Sequence, residues 1–229
     1  MSQQPQRYHV PRLTSPLVMD ADWDKPAWLH VEAATLAHFM GDRPAHLPRT
    51  QVKVVYDGDH LYVIFRVEDR YVKAVAQGHQ SPVYQDSCVE FFFTPGTDLS
   101  RGYFNLEANC GGTLLFQHQT ARGKDTVRIA DSDMDRIEVA HSLPSLITRE
   151  IQEPTCWTLE YRLPVSILER VAPVMRPGPG VAWRANFYKC ADNTSHPHWL
   201  TWSFIDRPQP DFHRPECFGE LIFVHGVTP

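Results

Sequence analysis

The chain has 229 residues, 42% hydrophobic and 21% charged, which excludes disorder as its main state and leaves room for one large domain or two small ones. Its 22 basic and 27 acidic residues give a formal charge of -5 with no basic run longer than isolated pairs, so no nucleic acid partner is expected. The longest apolar stretch, residues 61–65, is far short of the roughly 20 that span a bilayer. Residues 1–18 carry no apolar core of a secretory signal, so no membrane is expected either and the location read from the sequence is cytoplasmic. Cys88, Cys110, Cys156, Cys190 and Cys217 include no close pair, and their odd number leaves at least one free thiol. A chain of this size removes roughly 70% of its unfolded surface from water without staples, so reduced cysteines are the expectation.

Nineteen prolines spread between short apolar stretches, with 11% aromatics, argue against long helices. In chain order, Asp24-Lys25-Pro26 reads as a turn, and Trp23, Trp28 and Trp157 as residues that fill the core or cover its ends. Residues 39–50 form a proline-punctuated loop suited to a site rim or an interface. Residues 51–57 and 60–69, separated by Gly58-Asp59, form a hairpin in which Leu61, Val63, Phe65 and Val67 share a face. Further strands are predicted at 88–94, 102–109, 113–117, 136–141, 157–163, 181–190, 199–203 and 219–224. Helix signals are confined to 165–171 after Pro164 and to 142–147. The proline- and glycine-rich stretch 170–180 is a loop and not a domain linker, because the 49 residues after it make no second core. Residues 206–215 form a rigid loop able to wall a pocket. The sum is an all-β antiparallel β-sandwich of about ten strands, jelly-roll or immunoglobulin-like, with one or two short helices in a single domain over 1–229.

Strand alternation separates the faces. In 102–110, Phe104, Leu106, Ala108 and Cys110 oppose Tyr103, Asn105, Glu107 and Asn109, and in 181–190, Trp183, Ala185 and Phe187 oppose Arg184, Asn186 and Tyr188. Planar polar groups pair bidentately with vicinal hydroxyls, and aromatic rings stack on the apolar C–H face of a pyranose. The two polar rows therefore make a candidate sugar-binding face.

The run Pro82-Val-Tyr84-Gln-Asp86-Ser-Cys-Val-Glu90-Phe-Phe-Phe93 leads from a polar turn with an exposed aromatic into a buried strand that carries an acid. Together with Asp57-Gly-Asp59-His-Leu-Tyr62-Val, Arg66-Val-Glu-Asp69, Tyr103-Phe-Asn105 and Phe218-Gly219-Glu-Leu221, it resembles the family 9 carbohydrate-binding modules and their DOMON-like β-sandwich relatives, over about residues 18–223. The resemblance implies non-catalytic binding of a mono- or oligosaccharide whose terminal sugar is clamped between two aromatic rings, in carbohydrate catabolism beside glycosidases, and it leaves export open beside the cytoplasmic location. Tyr84 then matches the first ring, where the family has Trp, and Glu90 the acid, while the second ring is Trp199 or Trp202. Face analysis adds Asn105, Glu107, Arg184 and Asn186 as hydroxyl partners. No cofactor is required; the resemblance implies structural calcium, with Asp57, Asp59, Asp69 and Asp86 as candidate ligands. His196 and His198, two apart, with Asp192, Asp211 and His213, are the weaker candidates for a transition metal.

Two alternatives stand beside this reading. One is a glycoside hydrolase that uses Glu90 and Glu107 as its two carboxylates. The other is a sandwich acting through protein contacts at its aromatic loops. The sequence has no GxSxG elbow, no phosphate-cradling glycine loop and no assignable base for a cysteine nucleophile, and it leaves the oligomeric state open.

Overall fold

The computed structural model describes residues 5–226. Two sheets lie face to face. The smaller runs in the order Glu138–His141, Thr155–Pro164, His60–Asp69, Arg49–Tyr56 and Ala34–Thr35. The larger runs Arg7–Pro11, Gly219–Val224, Ala182–Cys190, Cys88–Thr94, Tyr103–Asn109, Leu114–Gln119 and Val127–Arg128, and Trp199–Thr201 and His38–Phe39 extend it beside Ala182–Cys190. Val72–Ala74 and Ile147–Ile151 pair separately. Among these strand pairs only Arg7–Pro11 with Gly219–Val224 is parallel. No helix among the described residues is long and apolar enough to cross a membrane.

All ten predicted strands form, with ends shifted by at most two residues. The strands that periodicity missed are mostly two or three residues long, too short to show a period, and Arg7–Pro11 is an edge strand ending in a proline. The short helix after Pro164 is present as Val165–Leu168. A helix at 142–147 does not form. Pro144 removes an amide donor and biases Leu143 towards extended backbone, and Ile147 instead pairs with Ala74. The 24–26 turn leads directly into a single helical turn, Pro26–Leu29, and another turn of helix lies at Asp131–Met134.

The main core fills the space between the sheets. Val63, Phe65 and Val67 meet Phe91, Phe93, Phe104, Leu106 and Phe187 there, as the period of two requires. Phe91 stacks on Phe187 with ring centroids 4.9 Å apart. Trp157 and Trp183 are fully buried in this layer. Trp23 and Trp28 instead cover the outer face of the smaller sheet with Val55, Tyr62 and Ile64. That strap is pinned by Glu160, whose carboxylate accepts hydrogen bonds from the Lys25 ammonium at 2.7 Å, the Trp28 indole at 2.8 Å and the amides of Ala21 and Asp20.

The outer face of the larger sheet is covered too. Phe92, Tyr103 and Tyr188 pack there under Phe212 and Phe218, from the loop 206–215 and the turn that follows it. Tyr103, Asn105, Glu107 and Asn109 are consequently at most 5% exposed, where alternation alone suggested an open polar face.

One buried ion pair ties the sheets together at their end. The Lys189 ammonium, wholly buried, lies 3.4 Å from Asp69 Oδ2 and donates to His198 Nε2 at 2.8 Å and to the Cys190 carbonyl at 3.0 Å. Asp69 also hydrogen-bonds the His46 ring at 2.7 Å and the Trp157 indole at 3.3 Å. Removing one member of such a pair leaves a buried charge without its counter-ion, at a cost of about 3–5 kcal/mol. Lys189→Met is expected to lower the unfolding free energy by about that amount in urea titrations; a loss below about 1 kcal/mol would show that Asp69 is held by its neutral donors alone.

Candidate functional site

A pocket of about 570 Å3 opens on the covered face of the larger sheet. Its floor comes from outward-pointing residues of four neighbouring strands: Cys190, then Glu90, then Asn105 and Glu107, then Leu115, Gln117 and Gln119. Register makes them neighbours, because Glu90 pairs with Glu107 and Asn105 with Gln117. The turn at Val83–Gln85 supplies Tyr84 to one wall, Asp192 and Trp199 stand in another, and Pro210, Asp211, Phe212 and His213 bring the 206–215 loop over the floor.

Hydrogen bonds fix the polar groups relative to one another. Asn105 donates from Nδ2 to Glu107 Oε1 at 2.9 Å, and its Oδ1 accepts from Gln119 Nε2 at 2.9 Å. Gln119 Oε1 accepts the Gly123 amide at 2.7 Å. His213 Nδ1 lies 2.8 Å from the Tyr103 hydroxyl. The two wall aromatics are tied to one anchor, Asp192. Its amide donates to the Tyr84 carbonyl at 3.1 Å, while its Oδ1 accepts the Trp199 indole N–H at 2.7 Å. Tyr84 is 38% exposed, so its ring is available to a ligand.

Burial decides the charge state of this pocket. Desolvation raises the Glu90 pKa well above the usual carboxylate range, aided by the neighbouring Cys190 and Glu107. The Glu107 carboxyl is pushed up to about 7, again mainly by desolvation, against the hydrogen bond from Asn105. Desolvation lowers His213 to about 4, so its ring is neutral at physiological pH. The floor thus presents hydrogen-bonding groups, with Glu107 partly ionised at neutral pH, beside two aromatic rings and the Arg122–Asp211 ion pair. Glu107 Oε2 is buried and has no hydrogen-bond partner.

The shift of Glu107 has a sign that can be checked. A carboxyl with a raised pKa in the folded state favours folding while protonated, and that contribution is lost as pH rises from its ordinary value of 4.5 to about 7. Glu107→Gln cannot ionise. Between pH 5 and pH 8 it is expected to lose about 1–3 kcal/mol less stability than the parent, measured by urea unfolding at each pH; parallel curves would mean that Glu107 titrates as it does in the unfolded chain.

The structure brings together Tyr84, Glu90, Asn105, Glu107 and Trp199. It leaves out Trp202, Arg184 and Asn186. Trp202 is turned into the main core beside Phe187, against Gly219, where a Cβ would come within 2.6 Å of its ring. Arg184 shares the outer face but lies further along its strand, where its guanidinium caps the carbonyls of Phe218 and Gly219. Asn186 is wholly buried, donating to the Ser203 carbonyl and accepting the Ser203 amide. Gln117 and Gln119 escaped the sequence reading, although alternation along Leu114–Gln119 marks them as sharing a face with Leu115. Arg122 at the rim has no such signal, since it lies in a loop.

The candidate metal ligands are not gathered at one place. Asp57 accepts the amides of Asp59 and His60 and the Tyr62 hydroxyl, which closes the first hairpin. Asp59 pairs with Arg176, Asp69 with Lys189, and Asp86 Oδ2 accepts the amides of Val75 and Ala76 and the Asn109 side chain. His196 stacks on Tyr71 with ring centroids 3.6 Å apart. Both ring nitrogens of His198 are already hydrogen-bonded, to the His196 carbonyl and to Lys189. Asp192, Asp211 and His213 all line the pocket, but not as one cluster of ligand atoms.

The chain is similar over 96% of its length, and over all of the other chain, to a protein of Bacteroides uniformis provisionally assigned as carbohydrate-binding, with 27% identity and a TM-score of 0.86. It also shares its fold with a family 9 carbohydrate-binding module of Caldicellulosiruptor kristjanssonii. The structure with glucose gives 17% identity and a TM-score of 0.64 over 97% of both chains. The structure with cellotriose gives 17% and 0.63 over 98% of both. Among curated proteins none matches. The model of carbohydrate-binding family 9 matches residues 27–223, nearly the whole sandwich and every strand of the pocket floor, and the chain belongs to that family.

Proposed function

We propose that the protein binds carbohydrate without transforming it, holding the end of a mono- or oligosaccharide between Tyr84 and Trp199 over the polar floor of the pocket. The observation that carries this reading is that Tyr84 and Trp199, tied to Asp192 through a backbone carbonyl and an indole respectively, line the same pocket as Glu90, Asn105, Glu107 and Gln119. A sugar offers hydroxyls that need donors and acceptors in the same plane, and C–H faces that favour a ring. A floor of amides and carboxyls offers donors and acceptors together and so suits such a ligand. The volume, about 570 Å3, falls within the range of small-molecule sites.

Several features speak for binding over hydrolysis. Glu90 and Glu107 are register partners on adjacent strands, so they lie side by side in the floor. As neighbours in one floor, both can pair with hydroxyls of the same sugar. Asn105 further commits one oxygen of Glu107 to a fixed hydrogen bond. A chain of this kind serves carbohydrate catabolism by keeping a saccharide at hand for a separate enzyme.

Glucose and cellotriose, the ligands of the Caldicellulosiruptor module, are the first sugars to titrate by calorimetry. The expected result is saturable binding, with the sugar recovered intact. Trp199→Ala and Tyr84→Ala should each weaken it at least tenfold, as about 1.4 kcal/mol or more of stacking is lost, whereas Trp202→Phe, a change in the core, should retain it. Silence of the folded parent across a panel of sugars, or unchanged affinity in both aromatic variants, would overturn the reading.

A further inference from the structure

We propose that Cys88, Glu90 and Cys190 form a site for a thiophilic divalent cation, zinc by its chemistry, at the floor of the pocket. Cys88 and Glu90 stand two apart on the Cys88–Thr94 strand and so share its outer face. Cys190 is the register partner of Cys88 on the adjacent strand. The two sulfurs and a carboxylate oxygen lie within 4.8 Å of one another, and Cys190 Sγ is 3.1 Å from Glu90 Oε1. Among the described residues this is the one grouping of three ligand-type side chains so close together. A tetrahedral zinc ion, with bonds of about 2.3 Å to sulfur and about 2.0 Å to oxygen, holds its donors roughly 3.5 Å apart, a spacing that small rotations of these side chains reach.

A second observation points the same way. Glu107, the register partner of Glu90, is 5% exposed and lines the same pocket, yet its Oε2 has no hydrogen-bond partner. Three protein ligands leave a fourth position on a tetrahedral ion, and a water held there is a strong donor of the kind this oxygen lacks. Glu90 and Cys190 border the pocket while Cys88 lies behind them, so the ion has an entry path through the pocket mouth. Two thiolates select zinc over the hard cations that prefer all-oxygen shells. The thiols at Cys88 and Cys190 and the Glu90 carboxyl are held protonated by burial. Binding therefore forms two Zn–S bonds and one Zn–O bond and releases up to three protons to solvent.

The test uses the whole chain, fully reduced, stripped of metal and free of sugar, with the thiol count confirming reduction. Cobalt(II) is titrated first as a spectroscopic probe and then displaced by zinc. The expected result is a thiolate-to-cobalt charge-transfer band that saturates at one equivalent, zinc retained through dialysis, and a calorimetric heat that varies with the buffer because protons are released. Cys88→Ser and Cys190→Ser should each diminish the band and weaken binding at least tenfold, and Cys156→Ser should match the parent. Glu90→Gln, which keeps both sulfurs, should retain the band with affinity at least tenfold lower, and it decides the matter if the serine variants misfold. A reduced, folded parent without the band, or a band that persists when both Cys88 and Cys190 are serine, would overturn the site. Sugar titrations are separate, so failure here leaves the carbohydrate reading standing, and the reverse.

Discussion

The central strands of the larger sheet are buried on both faces, and the pocket follows from that constraint. One face meets the aromatic core between the sheets, and the other is covered by the 206–215 loop and the aromatics beneath it. A polar side chain on the covered face cannot rely on bulk water, so it must find a partner inside the protein or lose its charge. Both outcomes occur within the floor: Asn105 is bound to Glu107 and Gln119, whereas burial raises the Glu90 pKa well above the usual carboxylate range. Hydrogen bonds within the floor hold Asn105, Glu107 and Gln119 relative to one another.

Elsewhere the same constraint is met with full charges. Glu160, wholly buried on the outer side of the smaller sheet, is surrounded by an ammonium, an indole and two amides, so its ionised form is completely paired. Lys189 and Asp69 pair across the two sheets with His46, Trp157 and His198 around them. The neutral ring of His198, lowered to about 3 mainly by desolvation, accepts from the lysine and does not compete with it as a cation. These clusters hold the strap and the sheet ends, and the pocket is left to groups that have fewer partners.

Much of the fold was legible because its strands are long enough to show a period. His60–Asp69 and Ala182–Cys190 alternate over ten and nine residues, and each residue falls on the side that alternation assigned. The shared face of Asn105 and Glu107 was legible for the same reason, whereas Glu90 was singled out by the family resemblance. Very short strands such as Ala34–Thr35 carry no period, and their pairing is decided by neighbours far away in sequence. Pro144, a local signal, stands against the helix expected at 142–147, which does not form.

The sequence by itself determined the all-β architecture, the buried aromatic faces, and the presence of one ring and one acid near the start of the Cys88–Thr94 strand, because each depends on residues a few positions apart. Only the tertiary structure shows that Trp199 lines the pocket and Trp202 the core. Both lie at the same sheet edge, but Trp202 fills the space left by the missing side chain of Gly219, and Trp199 turns outward to Asp192. It likewise moved Arg184 and Asn186 out of the pocket and brought Gln119 and His213 into it. Alternation fixes which face a side chain takes, whereas its place along that face is set by strand register and by the loops that cover it, both of them contacts between distant parts of the chain.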